Sequence, residues 1–211
     1  EAEAHVARLR ALRYQLNPHF LFNSLNAVST LVVEGNAPGA TKMLAQIAEF
    51  LRATLDSEVV SEVPLSQEML LTERYLAIEQ ARLEGRLRID LSISPDTLDA
   101  LVPSLLLQPL VENAVRHGVA LLVEGGTVTI RSELHNSRVH ICVTNSGHPN
   151  NDSDRNTFPQ ARGIGLTNTA ERLRTLYGMD HKFALEWPAT GGCQAVVELP
   201  LRTARQGLGA T

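Results

Sequence analysis

The sequence predicts an α+β protein: a helical hairpin first, then a mixed assembly of strands and helices. Two periodicities carry this expectation. Apolar residues recur every three or four positions through roughly the first 57 residues, the spacing of a helix face. Later runs alternate strictly between apolar and polar residues, the spacing of half-buried strands. Composition agrees, since 211 residues that are 44% hydrophobic and 20% charged are ordinary for a globular chain with a substantial core.

Taken in order, Val6, Leu9, Leu12, Leu16, Phe20, Ala27 and Leu31 predict a helix over residues 2–33. Pro18 removes an N–H within it and disfavours helical geometry at Asn17, so a kink is expected beside His19. Residues 35–39 (GNAPG) break the pattern, and Met43, Leu44, Ile47, Leu51 and Leu55 define a second helix over residues 40–55. One hairpin has too little core to stand alone. Pairing with a second copy into a four-helix bundle is the simplest completion, which predicts a homodimer. Ser66 is placed to cap a helix running to about Leu83. Residues 88–94 (RIDLSIS) read as a strand, residues 103–118 as a helix, and residues 127–134 and 138–145 as a hairpin turned by His135 to Ser137. Residues 148–162 form a polar, Pro- and Asn-rich loop of a length that signals function or mobility. Residues 163–177 are helical, residues 183–187 and 194–199 are strands, and residues 203–211 are expected to be a disordered tail.

Charge and cysteine content exclude several classes. With 19 basic against 23 acidic residues, the net charge of −4 gives no general attraction to nucleic acid or anionic membrane, so any anion site is local. Cys142 and Cys193 both fall in apolar strand-like runs and read as buried free thiols of a reducing compartment, with cytoplasm the default. No run of 18 apolar residues spans a bilayer, and no basic-plus-apolar signal segment opens the chain. The first residue is Glu1, already in helical pattern. A fragment of a longer protein is therefore expected, reaching a membrane only through a missing upstream region.

Three stretches carry chemistry. In LLLQPLVENAVRHG, residues 105–118, helical spacing places Leu107, Leu110, Val111, Ala114 and Gly118 on one face and projects Glu112, Asn113 and Arg116 from the other. A carboxamide suits a Mg²⁺ that keeps most of its water and takes other ligands from phosphate, and an Arg one turn along neutralises phosphate oxygens. A solvated polar face is the plainer account of this stretch alone. Gly163-Ile164-Gly165-Leu166 stands where a loop becomes a helix, which presents backbone N–H groups to an anion. A tightly packed helix entry is the alternative there. Neither a P-loop nor a Rossmann fingerprint occurs. In QLNPHFLFNSLN, residues 15–26, His19 stands beside the expected kink. A neutral imidazole attacks a phosphoryl group when a neighbour orients it, and Asn17 and Asn23 are candidates; a purely structural histidine is the commoner case. The remaining histidines form no metal constellation, and no Gly-x-Ser-x-Gly or Cys/His pairing supports a hydrolytic nucleophile.

Together these stretches resemble the LytS-type sensor histidine kinases, in order from about Leu9 to Leu201. QLNPHFLFNSLN resembles that family's phosphoacceptor box, LLLQPLVENAVRHG its N box and GIGLTNTAERLRTLYG its second glycine box. GGCQAVVELP is similar to its closing strand, and LTERYLAIEQARLEGRL to the helix that opens its catalytic domain. The resemblance implies a dimerisation and phosphoacceptor hairpin over residues 1–60, joined to a GHKL-type ATP-binding α/β sandwich with a mixed sheet over residues 61–202. It implies that His19 is the phosphoacceptor, oriented by Asn23, and that Asn113 is the Mg²⁺ ligand. Arg116 and His117 would contact the nucleotide, with Glu112 assisting from the same helix. Asn145 and Gly147 fall where the family reads adenine, while Gly163, Ile164, Gly165 and Leu166 line the phosphates beneath a lid formed by residues 148–162. The cofactors implied are ATP and Mg²⁺, and the partners a second copy and the receiver domain of a response regulator. Three departures stand out. Asn145 replaces the usual acidic adenine reader, Gly147-His148-Pro149 replaces a Gly-x-Gly, and Pro109 takes a place where relatives of the fold carry Asn or a catalytic Glu. The last argues against an ATPase, and the first two define the alternative of a degenerate kinase serving as a nucleotide-sensing dimeric scaffold.

Overall fold

A computed structural model describes residues 18–56, 61–147, 164–189 and 191–204. The seam over residues 2–17, the candidate Asn17, the loop over residues 148–162, Gly163 and residues 205–211 lie outside the described residues, as does one side of the kink expected at Pro18. The chain divides into two compact units. Helices α1 (Pro18–Val33) and α2 (Ala37–Asp56) form the first with residues Glu73–Glu84; the second takes residues up to Thr72 of helix α3 (Leu65–Arg82) and the chain from Gly85 onward.

In the first unit, α1 buries Phe20, Ser24 and Val28, a single face at four-residue spacing. Gly35, at φ 76°, turns the chain, and Asn36 Oδ1 accepts the Gly39 N–H at 2.9 Å. That side chain caps α2, which therefore begins at Ala37, three residues before the expected start. Pro38 and Gly39, read in the sequence as breakers, fit the first turn because its N–H groups have no helical acceptor in any case. Ala40, Met43, Ile47, Phe50 and Thr54 form the buried face of α2, whereas Leu44, expected there, is 47% exposed. Part of the core that a lone hairpin lacks comes from α3, through Tyr75. Its ring centroid lies 5.0 Å from Phe20 and 6.1 Å from Phe50, and Phe20 and Phe50 meet edge to face at 5.2 Å.

The second unit is built on a five-stranded mixed sheet. In spatial order its strands are β2 (Leu87–Ile93), β4 (Gly126–His135), β5 (Arg138–Asn145), β7 (Cys193–Pro200) and β6 (Lys182–Glu186). The first two are parallel, and every later neighbour is antiparallel. The β4–β5 hairpin turns through Asn136 and Ser137, at φ 48° and 59°, the positive pair that matches strand twist. One sheet face is apolar and buried, with Val128, Ile130, Val139, Ile141, Val143, Val197 and Leu199. The other presents a cross-strand row Glu133, His140, Glu198, Lys182. Helices α4 (Leu107–Asn113) and α5 (Ile164–Tyr177) complete the apolar core with Leu107, Leu110, Val111, Leu166 and Leu173, giving the expected α+β sandwich.

Two short strands add to the expected elements: β1 (Glu62–Pro64) pairs antiparallel with β3 (Leu101–Pro103). They displace two expected boundaries. Pro103 ends a strand instead of opening a helix, and Ser66 is inside α3, its N–H donating to the Leu98 carbonyl at 3.0 Å, so it is not the cap. Thr203 forms an antiparallel bridge with Ala100. Both cysteines are free thiols; Cys193 lies on the inner face, where burial pushes its pKa up to about 11, and Cys142 is half-buried on the outer one. Among the described residues no helix is long and apolar enough to cross a membrane.

The aromatic cluster makes a direct prediction. Phe20→Ala should lower the stability of the first unit by about 3–5 kcal/mol, read as a shifted urea midpoint, while Met179→Ala, at a 96% exposed position, should leave it unchanged.

Candidate functional site

His19 occupies the second described position of α1, its side chain exposed, directly before the buried Phe20. The core thus pins the backbone on which the imidazole stands. Asn23, one turn on, brings Nδ2 to 3.1 Å from His19 Nδ1 and 3.4 Å from Nε2. In this orientation the amide donates to the Nδ1 lone pair and favours the tautomer with its proton on Nε2. With the amide turned over, Oδ1 would accept from Nδ1–H and leave the Nε2 lone pair for attack. Asn23 is therefore placed to select between the two tautomers of the ring.

In the second unit, α4 ends at Asn113 and the chain continues through a π turn, Ala114–Gly118, and a 3₁₀ turn, Val119–Leu121. Leu107, Leu110, Val111, Ala114 and Gly118 are buried as the helical spacing requires, and Val115 joins them because the wider turn rotates it inward. Glu112 and Asn113 are half-buried, and Arg116 and His117 are exposed. Gln108 Nε2 donates to Glu112 Oε1 at 2.8 Å, fixing that carboxylate one turn back. Gln108 Oε1 is buried and has no hydrogen-bond partner among the described residues. Partial burial first, and the Arg116 charge second, lower the His117 pKa below its usual value of 6.5. The histidine is thereby neutral at physiological pH.

The helix end is packed against the end of β5. Asn145 is buried and its Nδ2 donates to the Ser146 carbonyl at 3.0 Å. A Cβ on Gly118 would clash with that same Nδ2, one on Gly192 would clash with the Asn145 carbonyl oxygen, and one on Gly147 would fall 2.7 Å from Gly192 Cα. Gly118 and Gly192 thus enclose Asn145 at distances no side chain permits, and Gly147 packs as tightly as a glycine allows against Gly192. At the opening of α5, a Cβ on Gly165 would meet Pro109 Cβ at 3.3 Å, so this helix entry lies against α4. Leu166 is buried, and Gly165 and Leu166 can offer an anion only backbone N–H groups. The Ile164 side chain, like Gly163, lies outside the described residues.

The second unit therefore brings together Pro109 to Gly118, Asn145 to Gly147 and Gly165, which are far apart in the sequence. His19 and Asn23 belong to the first unit. Gly192 joins the site without having been singled out; Gly191 and Gly192, at φ 92° and 83°, form a turn whose only sequence signal is the Gly-Gly pair before β7. Among the described residues, no three His, Cys, Asp or Glu side chains cluster as a metal site.

This packing has two measurable consequences. Gly118→Ala must displace the Asn145 amide and should cost about 1–3 kcal/mol, measured by denaturant titration. For His117, the folded pKa is depressed, so as pH falls below about 6.5 the unfolded state takes up a proton that the native state refuses, and stability declines. His117→Gln should flatten that acid-side decline in melting temperature.

Residues 7–87 match the family model described as histidine kinase. The chain is 36% identical over 180 residues to the sensor histidine kinase YpdA of Escherichia coli, covering 83% of this chain and 31% of that protein. It is 30% identical over 202 residues to the sensor protein LytS of Enterococcus faecalis, covering 92% of this chain and 34% of that one. The chain spans about a third of the length of these curated relatives. The solved histidine kinase domain of the blue-light activated kinase EL346 from Erythrobacter litoralis superposes with a TM-score of 0.50 at 16% identity, over 92% of this chain and 94% of that one, a likeness of fold. Residues 7–87 thus match the histidine kinase family model, and over most of its length the chain is similar to sensor histidine kinases of the LytS type.

Proposed function

We propose that this chain is the kinase portion of a two-component sensor, transferring the γ-phosphoryl group of MgATP to His19 and then to an aspartate of a response regulator's receiver domain. The observation that carries the reading is the convergence of Asn113, Arg116, the Asn145 cradle and the Gly165 helix entry in one unit, while His19 stands exposed in the other with Asn23 against its ring. Asn145 replaces the acidic adenine reader with a neutral amide. With Nδ2 engaged by the Ser146 carbonyl, its Oδ1 retains the acceptor capacity that an exocyclic amine needs.

The roles divide by chemistry. Arg116 neutralises phosphate oxygens from the exposed edge of the π turn, and neutral His117 adds a hydrogen bond without a second positive charge. The N–H groups at the start of α5 cradle phosphate, those of Gly165 and Leu166 lying within the described residues and that of Gly163 outside them. Asn113 would hold Mg²⁺, which when bound offsets the charge of the phosphates. At His19 a ring nitrogen forms a bond to the γ-phosphorus as the bridging P–O bond breaks and ADP departs, a reaction governed by positioning and charge neutralisation. Glu112, held by Gln108, is placed to support Asn113. Pro109, where a water-activating carboxylate would stand in an ATPase, leaves the imidazole as acceptor.

The first unit leaves Phe22 69%, Leu25 45%, Val32 62% and Val33 87% exposed. A second copy covering these side chains would complete the four-helix bundle.

Incubation of the chain with γ-labelled MgATP should yield acid-labile, base-stable label on the protein, absent in His19→Ala. Asn113→Ala should lose Mg²⁺-dependent nucleotide binding by calorimetry while keeping its melting temperature. Label retained in His19→Ala would overturn the phosphoacceptor assignment, and unchanged affinity in Asn113→Ala the metal assignment.

A further inference from the structure

The turn that opens α4 is held by side chains from two other elements of the second unit. Leu106, at the helix N-cap, has no side-chain acceptor to offer, and Leu105 before it adopts φ 57°, a left-handed conformation unfavourable for a non-glycine residue. Glu68, from the portion of α3 that belongs to this unit, answers both deficits. Its Oε1 accepts the Leu105 N–H at 2.6 Å, and its Oε2 accepts the Leu107 N–H at 3.0 Å. The residue is 3% exposed. From α5, Arg172 donates to the Ser104 carbonyl and acts on the Glu68 charge. A buried carboxylate and a guanidinium thus clamp the same four-residue turn from opposite partners.

Directly after that turn comes the helix that carries the candidate nucleotide contacts. Seven residues of α4 lead from the clamp to Asn113, and Arg116 and His117 come next in the π turn. The helix that supplies Arg172 is the one that Gly165 opens against Pro109. Fixing residues 104–107 therefore fixes both the axial position of Asn113 and the distance between the metal-bearing helix and the phosphate-binding helix entry.

We infer that Glu68, braced by Arg172, is a positioning residue of the nucleotide site: it sets α4 against α5 so that Asn113, Arg116 and the Gly165 amides address one triphosphate. The inference rests on the proposed binding of MgATP. Its chemistry is specific, because both Glu68 oxygens act as acceptors and only the ionised carboxylate supplies two. Burial raises the Glu68 pKa, while the backbone N–H bonds and the Arg172 charge oppose the rise. The 104–107 turn contributes no titratable side chain, so Arg172 is the charged group facing Glu68 from the packed elements. As pH falls, protonation turns one acceptor into a donor aimed at an N–H, and the clamp opens.

The test compares Glu68→Gln, an uncharged shape mimic, with the original chain by calorimetry against a non-hydrolysable MgATP analogue. Leu199→Ala, a core deletion at the far end of β7, serves as a control for lost stability. Glu68→Gln should bind the analogue about 5- to 30-fold more weakly at pH 8, whereas Leu199→Ala should change affinity less than about 2-fold at a similar loss of melting temperature. The ratio of original to Glu68→Gln affinity should fall toward one as pH is lowered, because acid converts the original chain into the state that the Gln mimics. Where Glu68→Gln does not fold, Arg172→Lys, which keeps the charge but not the guanidinium geometry, is held to the same comparison. Equal affinities of original and Glu68→Gln proteins, or an equal loss in Leu199→Ala, would overturn the positioning role. Absence of binding by the original chain would instead overturn the MgATP reading itself.

Discussion

The close approach of three backbone segments around Asn145 is the constraint on which the second unit depends. Gly118 meets the Asn145 side chain and Gly192 meets its carbonyl at distances that admit only hydrogen, and Gly147 in turn lies too close to Gly192 for a side chain. Such packing lets the end of β5, the end of the α4 segment and the turn before β7 share one small volume. The geometry explains why the helix widens as it arrives there. A π turn over Ala114–Gly118 spreads five residues over the last revolution, which keeps Ala114, Val115 and Gly118 inside while leaving Arg116 and His117 outside. Chemistry at this site is thus inseparable from backbone fit.

The first unit solves a different problem, presenting a side chain to solvent on a helix that must not drift. Phe20 does this by packing against Phe50 and Tyr75, immediately after His19. Burial of one residue and exposure of its neighbour on α1 are two consequences of the same helical turn. Asn23 is four residues on from His19, the spacing at which side chains of a helix meet, so the helix itself brings the amide against the ring.

Those features that depend on period were legible in the sequence. The alternation of residues 127–134 and 138–145 gave the hairpin to within a residue or two, and helical spacing identified which side chains of residues 107–118 turn inward. What escaped depends on tertiary context. Three-residue strands such as β1 and β3 are too short to show a period, and they exist because each is the other's partner. Their presence moved the start of α4 from Pro103 to Leu107, although LLLQPL reads as continuous helix; the left-handed Leu105 between them is stabilised by Glu68, which no local pattern connects to it. At residues 35–39, Pro38 and Gly39 weigh against helix by propensity, yet the Asn36 cap brings both into the first turn of α2. Leu44 fits the apolar spacing of α2 and is nevertheless exposed, because periodicity locates a face and not the neighbour that covers it.

The charges of the site arise from the same packing. Arg116 and His117 are adjacent and both face outward, so a doubly charged pair would repel unless an anion lay between them. Partial burial together with the Arg116 charge instead lowers the His117 pKa, and at neutral pH the pair presents one positive charge and one neutral imidazole. Asn113 and Asn145 are likewise neutral where carboxylates would be chemically competent. Under the proposed binding of MgATP, a triphosphate would meet one guanidinium, a helix entry and two carboxamides, with the Glu112 carboxylate drawn toward Gln108. Binding of that kind would depend on a divalent ion to offset the remaining phosphate charge, and on the separation of α4 from α5. With weak individual attractions, a displacement of either helix would remove several of them together, so the buried carboxylate and guanidinium that hold the two in place would bear on affinity as directly as the groups proposed to touch the nucleotide.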